Sequence, residues 1–525
     1  MSSHSQNLPF AIYIEPVSIP NLPGIQSFAF GEANGKYLIV SGRLDGLHKA
    51  MGMGMMGTPF PSSGNNNNFI VLDPQNQQYW TSSIASLPTD LKEQLSSTNT
   101  QYYQNGDYLY VLGGYGYKSA AGEHKTFDKL TAINVPNTIS AIINGTGFSS
   151  QIRQISDSDF QVTGGQLEKI NNTYYLVGGH NFDGTYHHMN GMGMFTQTYT
   201  NQVRKFQISD DGINLSINHL PSITDSTNLH RRDYNLVPQL FPGGNEGLTA
   251  FSGVFQVSED IPYLNCVDLD NTGLQPNNSF AQYYNHYQCA NFPVYSVTQD
   301  EMYTMFFGGI AQYYDSSGIL VQDNNCPFVK TIACIKRSAN GNMVEYKLPI
   351  ELPSLLGAGS DFLPNSNLTY YPNGVLMYDQ LSEDTTLVGY VFGGISSPEA
   401  NAFNSSMMGN NGTTATNSLF KVYLVQNQLP TQILKSSENA FQLQLFPNPA
   451  LAEVQLIFNL SVQSDVLVRI NNLSGQLCYQ ELWKELGVGQ HHQKIHLNSF
   501  HQPGNYIITL EAAGKSSTQK LIINP

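Results

Sequence analysis

The sequence is short of charge, of tryptophan and of long apolar runs, and each shortage excludes something. Charged residues make up 12% of the 525-residue chain, and Lys+Arg 24 against Asp+Glu 39 leaves a net charge of −15. So little charge is unlike a charged disordered chain. With 46 Gly and 26 Pro, long helices and coiled coil are excluded as well. An acidic chain with no basic run is poorly suited to nucleic acid or an anionic membrane surface, and neither is expected as a partner. No stretch approaches the ~20 apolar residues of a transmembrane helix, so no transmembrane segment is expected. Cysteine is also scarce. Cys266, Cys289, Cys326, Cys334 and Cys478 form no CxxC pair, which argues against a zinc ribbon. Two readings stay open for the first four: one or two disulfides in an oxidising compartment, or plain buried thiols.

The aromatic content is tyrosine and phenylalanine (30 and 27, against 2 Trp), and much of it falls in a repeat. A short apolar strand ending in Gly-Gly or Ser-Gly recurs six times: Tyr37–Gly42, Tyr108–Gly114, Thr173–Gly179, Leu248–Gly253, Tyr303–Gly309 and Val388–Gly394. The closing glycines have a mean spacing of about 70 residues, longer than the ~40–50 of compact propeller repeats, with the excess in loops. Each copy has a strand before it and two after it, such as Asn68–Pro74 and Asn417–Val425 for the third strand. A Leu-Pro is expected soon after the fourth strand: Leu87-Pro88, Leu220-Pro221, Leu348-Pro349. Four antiparallel strands repeated radially make a β-propeller blade, with strands a to d. Phe10–Gly24 reads as a d strand with no a–b–c before it, and blade six has no clear d strand of its own. The N-terminal strand is therefore expected to complete blade six, which removes an open sheet edge. The expected fold is all-β, a six-bladed propeller over residues 1–435 and a small Ig-like antiparallel β-sandwich over residues 436–525. Over roughly residues 8–435 the Gly-terminated strands resemble the kelch family of propellers. Two copies carry Ser-Gly, and the downstream Trp of that family's pattern occurs once, at Trp80.

From Ser436 onward the pattern changes to period-2 strands separated by short turns, the mark of an antiparallel sandwich. The segments Phe446-Pro447-Asn448-Pro449-Ala450, Asn472-Leu473-Ser474-Gly475-Gln476, Pro503-Gly504-Asn505-Tyr506 and Lys520-Leu521-Ile522-Ile523 follow in order to the chain end. This region resembles the C-terminal sorting domain of type IX secretion substrates of Bacteroidota-like bacteria. The resemblance implies the type IX secretion machinery as a partner, passage across the outer membrane, and a secreted or cell-surface, outer-membrane-attached protein. It also implies an N-terminal signal peptide. The opening residues MSSHSQNLPFAIYIEP have no basic n-region followed by an apolar stretch, so the expectation is a mature form from which that peptide has been removed.

In an antiparallel four-stranded blade the b–c loops and the d-to-a connections emerge on one face, so all six b–c loops gather around one channel mouth. Their contents are unusual. Blade one carries His48, Met51, Met53, Met55 and Met56; blade three carries His187, His188, Met189, Met192 and Met194; blade six carries Met407 and Met408. Nine of the 14 methionines thus sit in three Gly-interspersed loops, although Met ordinarily fills cores. Thioether sulfur with imidazole suits a soft metal, copper above all. The first ten of these residues are the candidate metal ligands, and His124 and His180 stand in reserve. The expected role is copper capture or buffering at the cell surface.

Other readings attach to the same face. His230-Arg231-Arg232-Asp233-Tyr234 falls in a d-to-a connection. Its arginines either hold a carboxylate, phosphate or acidic sugar, or form inter-blade salt bridges. Tyr115, Tyr117, Tyr313 and Tyr314 offer sugar-stacking faces, the basis for an adhesin or a propeller binding glycan or protein. Some kelch propellers are galactose-oxidase-like copper oxidases with a Tyr–Cys crosslink. No cysteine falls in a Met/His-rich loop, but Cys326 lies in the blade-five b–c loop. No paired-carboxylate or nucleophile spacing commits the chain to hydrolysis, and no catalytic residue is assigned.

Overall fold

The computed structural model describes residues 8–48, 59–185, 195–316, 318–402, 412–426, 441–472, 477–497, 504–513 and 515–523. The chain divides into two compact units, Met1–Asn427 and Gln428–Pro525. The division expected at residue 436 falls outside the described residues.

The first unit is a propeller of six antiparallel blades. The b strands are the sequence repeat, and they read as unbroken apolar runs because neighbouring blades cover both faces. In blade two Leu109 and Val111 face Leu38, Val40, Phe69 and Val71 of blade one, with the helix Val135–Ile143 filling the wedge. Tyr110 and Leu112 face the other way, onto Leu167, Tyr174 and Leu176 of blade three. The closing glycines have a specific cause. Gly42, Gly114, Gly179, Gly253, Gly309 and Gly394 all have positive φ, between 75° and 94°. A Cβ on Gly253 would stand 2.5 Å from the Tyr234 Cβ of the next connection. The residue before each also has positive φ, and in the two Ser-Gly copies Ser41 and Ser252 adopt it at 56° and 51°. Their hydroxyls donate to Val40 O (2.6 Å) and Tyr263 O (2.8 Å), local bonds that help a non-glycine residue hold that turn.

Blade six closes as expected. Phe10–Val17 pairs antiparallel with Leu419–Gln426 over eight residues, from Phe10 opposite Gln426 to Val17 opposite Leu419. One expectation is corrected, and one left open is resolved. In blades three and five the Leu-Pro lies inside the d strand, within Leu215–Thr224 and Met343–Glu351, not after it. The ladder slips by a bulge beside each proline, and an outermost strand tolerates the missing N–H. The cysteines resolve as free thiols, with Cys266, Cys289, Cys326 and Cys334 buried.

A ring of backbone hydrogen bonds marks the axis on the b–c face. Asn99 N donates to Ser27 O, Gly164 N to Asn99 O, Asp233 N to Gly164 O, Gln288 N to Asp233 O, Gly359 N to Gln288 O, and Ser27 N to Gly359 O, at 2.8–3.4 Å. Each residue comes from the segment leading into a different blade, so the circuit closes only with six blades.

The second unit is a sandwich. A three-stranded sheet (Gln444–Phe446, Glu453–Leu460, Gly489–His496) shares one core with a four-stranded sheet (Ser464–Asn472, Leu477–Leu486, Gly504–Ala512, Lys515–Ile523). Glu453–Leu460 buries every second residue: Val454, Leu456, Phe458 and Leu460. The Pro-Asn-Pro turn is bonded to the terminal strand: Asn448 Nδ2 donates to Lys520 O (2.6 Å) and Ile522 N donates to Asn448 Oδ1 (2.8 Å). The two motifs at the ends of this unit are therefore one structural feature.

Candidate functional site

Three of the b–c connections are hairpins, not plain loops: Tyr115–Lys118 with Glu123–Thr126, His180–Gly184 with Phe195–Tyr199, and Tyr313–Ser316 with Ile319–Gln322. His124 and His180 sit on the first two. Of the ten candidate metal ligands, His48 is described and exposed. Met51, Met53, Met55, Met56, His187, His188, Met189, Met192 and Met194 lie outside the described residues, as do Met407 and Met408.

The residues flanking those segments form a continuous arc. Phe60, beyond the blade-one segment, has the His48 ring at 5.6 Å, the Tyr115 ring at 5.1 Å and the His124 ring at 6.4 Å. Tyr115 stacks on His124 at 5.5 Å and meets Phe182 edge-on at 5.3 Å. Phe182 stacks on Phe195 at 4.9 Å, and Tyr115 Oη donates to Gly184 O at 2.5 Å. Gly184 and Phe195 flank the blade-three segment. On the other side Leu47 N donates to Thr413 Oγ1 at 3.0 Å, beside the blade-six segment. Blade two's hairpin thus bridges the stems of blades one and three, and blade six's stem touches blade one's.

Burial lowers the basicity of two histidines here, His124 and His180. Burial lowers His124, the nearby Arg43 adds to the effect, and a hydrogen bond with the Phe60 backbone opposes it. Burial pushes His180 well below its ordinary value, with Arg232 adding to it. Gln197 Nε2 donates to His180 Nδ1 at 2.7 Å, which leaves the proton on Nε2. Neutral imidazole is the form that ligates metal.

The two arginines separate sharply. Arg231 is fully buried, and its guanidinium donates to Asn228 O, Ser252 O, Asn265 O and Asn265 Oδ1. It is a structural clamp between connections. Arg232 keeps about a fifth of its side chain exposed (21%) and sits beside the hydrogen-bonded ring. The aromatics around it, Tyr199 and Phe255, were not legible in sequence because they belong to other connections. Of the tyrosines read as sugar platforms, Tyr115 is buried in the arc and Tyr117 is 46% exposed. Tyr313 packs edge-on against Tyr283 at 5.1 Å. Sequence reading also missed a cluster on other segments. Asp157, Asp159 and His219 bring candidate ligand atoms within 4.8 Å of one another. His219 Nε2 lies 2.7 Å from Asp157 Oδ2, so a hydrogen bond between them accounts for the arrangement.

Residues 444–524 match the secretion system C-terminal sorting domain. This chain is a secreted or cell-surface protein, and its C-terminal unit engages the type IX machinery. No curated protein matches it. Among solved structures it is similar to that of YjhT, at 15% identity over 77% of this chain and 99% of that one, with a TM-score of 0.43. It is also similar to a chain of RAG in complex with one melted and one unmelted RSS, at 10% identity over 79% and 99%, with a TM-score of 0.35.

Proposed function

We propose that this protein is a surface copper-binding propeller of the kelch kind, which captures or buffers copper through the Met/His-rich segments on its b–c face while attached to the outer membrane. The observation that carries the reading is the arc. Residues flanking all three Met-bearing segments are in contact across blades six, one, two and three, so segments separated in sequence start from one patch. His124 and His180, whose basicity burial lowers, stand within that patch. Sulfur from Met51, Met53, Met55, Met56, Met189, Met192 and Met194 favours Cu(I), and imidazole from His48, His187 and His188 extends the site to Cu(II). Ten ligands exceed the needs of one ion, so the reading is one site drawn from two segments or several weak sites. The Gly-terminated b strands support the kelch resemblance.

The test is metal analysis of protein purified without a His-tag, before and after Met51, Met53, Met55 and Met56 are replaced by Leu. Those replacements keep bulk and apolarity and remove sulfur. Copper bound by the wild type and diminished in the variant is expected. Absence of copper from both under reducing, copper-replete conditions overturns the proposal. Glycan binding that survives chelation and loss of the segments supports the adhesin reading instead.

A further inference from the structure

Arg232 is a charged group that the fold holds only in part. Its backbone pairs with Val254 (2.6 and 2.9 Å), and its neighbour Asp233 belongs to the ring of bonds around the axis, so the guanidinium is fixed beside the channel mouth. Nε donates to Tyr199 Oη at 3.2 Å. Nη1 pairs with Asp233 Oδ2, whose other oxygen accepts from Asn99 Nδ2 at 3.4 Å. The Phe255 ring lies 5.1 Å from its Cζ. Nη2 has no acceptor among the described residues, and the side chain reaches solvent. Around it stand part-exposed aromatic groups: Tyr199, with the His230 ring stacked on it at 3.7 Å, Phe255 and Tyr287.

A guanidinium held by two partners with one edge left open is a preorganised anion receptor, since little entropy is lost when the open N–H groups bond a ligand. We propose that Arg232 binds the carboxylate of a ring-bearing small molecule, of the acidic-sugar class, at the b–c mouth of the channel. Asp233 already offsets much of its charge, and Arg231 is spent on its own acceptors. One partly compensated cation matches a monoanion better than a dianionic phosphate. The exposed parts of Tyr199, Phe255 and Tyr287 offer apolar surface to the ligand's ring. Burial lowers the basicity of His230, which adds a polar group beside the site. The proposal does not rest on the copper reading, although Arg232 also lowers the basicity of His180.

The experiment uses the full chain, freed of metal by chelation, so that its outcome does not depend on copper. D-glucuronate and benzoate are titrated against their neutral counterparts D-glucose and benzamide, with glucose 6-phosphate alongside, by ligand-observed NMR and calorimetry. The wild type is expected to bind D-glucuronate about tenfold or more tighter than D-glucose, a difference of ~1.4 kcal/mol. Arg232→Gln should abolish that preference with the near-UV spectrum unchanged, and Arg232→Lys should keep a minor part of it. Should Arg232→Gln fail to fold, Tyr199→Phe, which removes the acceptor of Nε, should weaken carboxylate binding severalfold. No saturable binding of D-glucuronate, a preference that survives Arg232→Gln, or tighter binding of benzoate or of the phosphate overturns the proposal.

Discussion

Closure of the propeller by the N-terminal strand has a quantitative consequence, because the two faces of Phe10–Val17 meet different surroundings. Phe10 is 2% exposed and its ring lies 5.2 Å from Tyr303 of blade five and 5.8 Å from Tyr378. Ile12 is 7% exposed and belongs to the same core with Val391, Val422 and Leu424. Tyr13, on the opposite face, is 51% exposed and touches Tyr423 at 6.0 Å. Truncating a buried phenylalanine removes its transfer free energy and leaves a cavity, ~3–5 kcal/mol together. Truncating the half-exposed tyrosine loses one loose aromatic pair, about 1 kcal/mol. Phe10→Ala should therefore cost at least ~2 kcal/mol more than Tyr13→Ala, although three positions separate them. The assay is equilibrium urea unfolding in a Trp483→Phe background. The chain has two tryptophans, so Trp80 of blade one then reports the propeller alone. Equal, small losses for both variants would mean that the strand is not part of the core, and the closure argument would fail.

Three further outcomes follow. Gly253→Ala, which sets a Cβ 2.5 Å from the Tyr234 Cβ at φ 94°, should cost ~3 kcal/mol or more, whereas Gly35→Ala, at φ 74° with open space around it, should cost ~1 kcal/mol; thermal melts distinguish them. Burial raises Glu168 to about 8 and Asp361 to about 7, so their contribution to stability is complete below their unfolded values of ~4 and is lost as pH rises through 7–8. Glu168→Gln should accordingly gain ~1–2 kcal/mol at pH 8.5 and nothing at pH 4, and an equal gain at both would refute that cause. Deleting residues from Ser436 onward should leave the protein inside producing cells, while the purified propeller unit keeps its ligands; normal surface display of the truncated protein would contradict this.

The blades were legible because their signal is local. A strand that must turn left-handed at its end, against a close neighbour, has to finish in glycine, and the six copies announce themselves. The closing strand was legible by subtraction, from a d strand without a blade at one end and a blade without a d strand at the other. Leu220-Pro221 and Leu348-Pro349 misled because proline reads as a terminator, whereas an outermost strand pairs on one side only and a bulge beside the proline spares the missing N–H. The site was legible in kind and not in arrangement. Methionine and histidine stand out in composition, but the arc His48, Phe60, His124, Tyr115, Phe182, Phe195 joins residues from three blades. Its contacts depend on radial packing that no spacing encodes. Arg231 and Arg232 are adjacent in sequence and differ in role, because the first is spent on acceptors between connections and the second pairs with Asp233 and keeps part of its side chain exposed.

Copper binding through thioether sulfur is the central claim, and X-ray absorption at the copper edge tests it most directly. Protein loaded with one equivalent of Cu(I) should show sulfur scatterers in the first shell, with imidazole nitrogen as the remainder. Replacing Met189, Met192 and Met194 together with the four methionines of blade one by Leu should remove the sulfur contribution. A first shell of nitrogen and oxygen alone in the wild type, or an unchanged sulfur shell in the variant, would contradict the account.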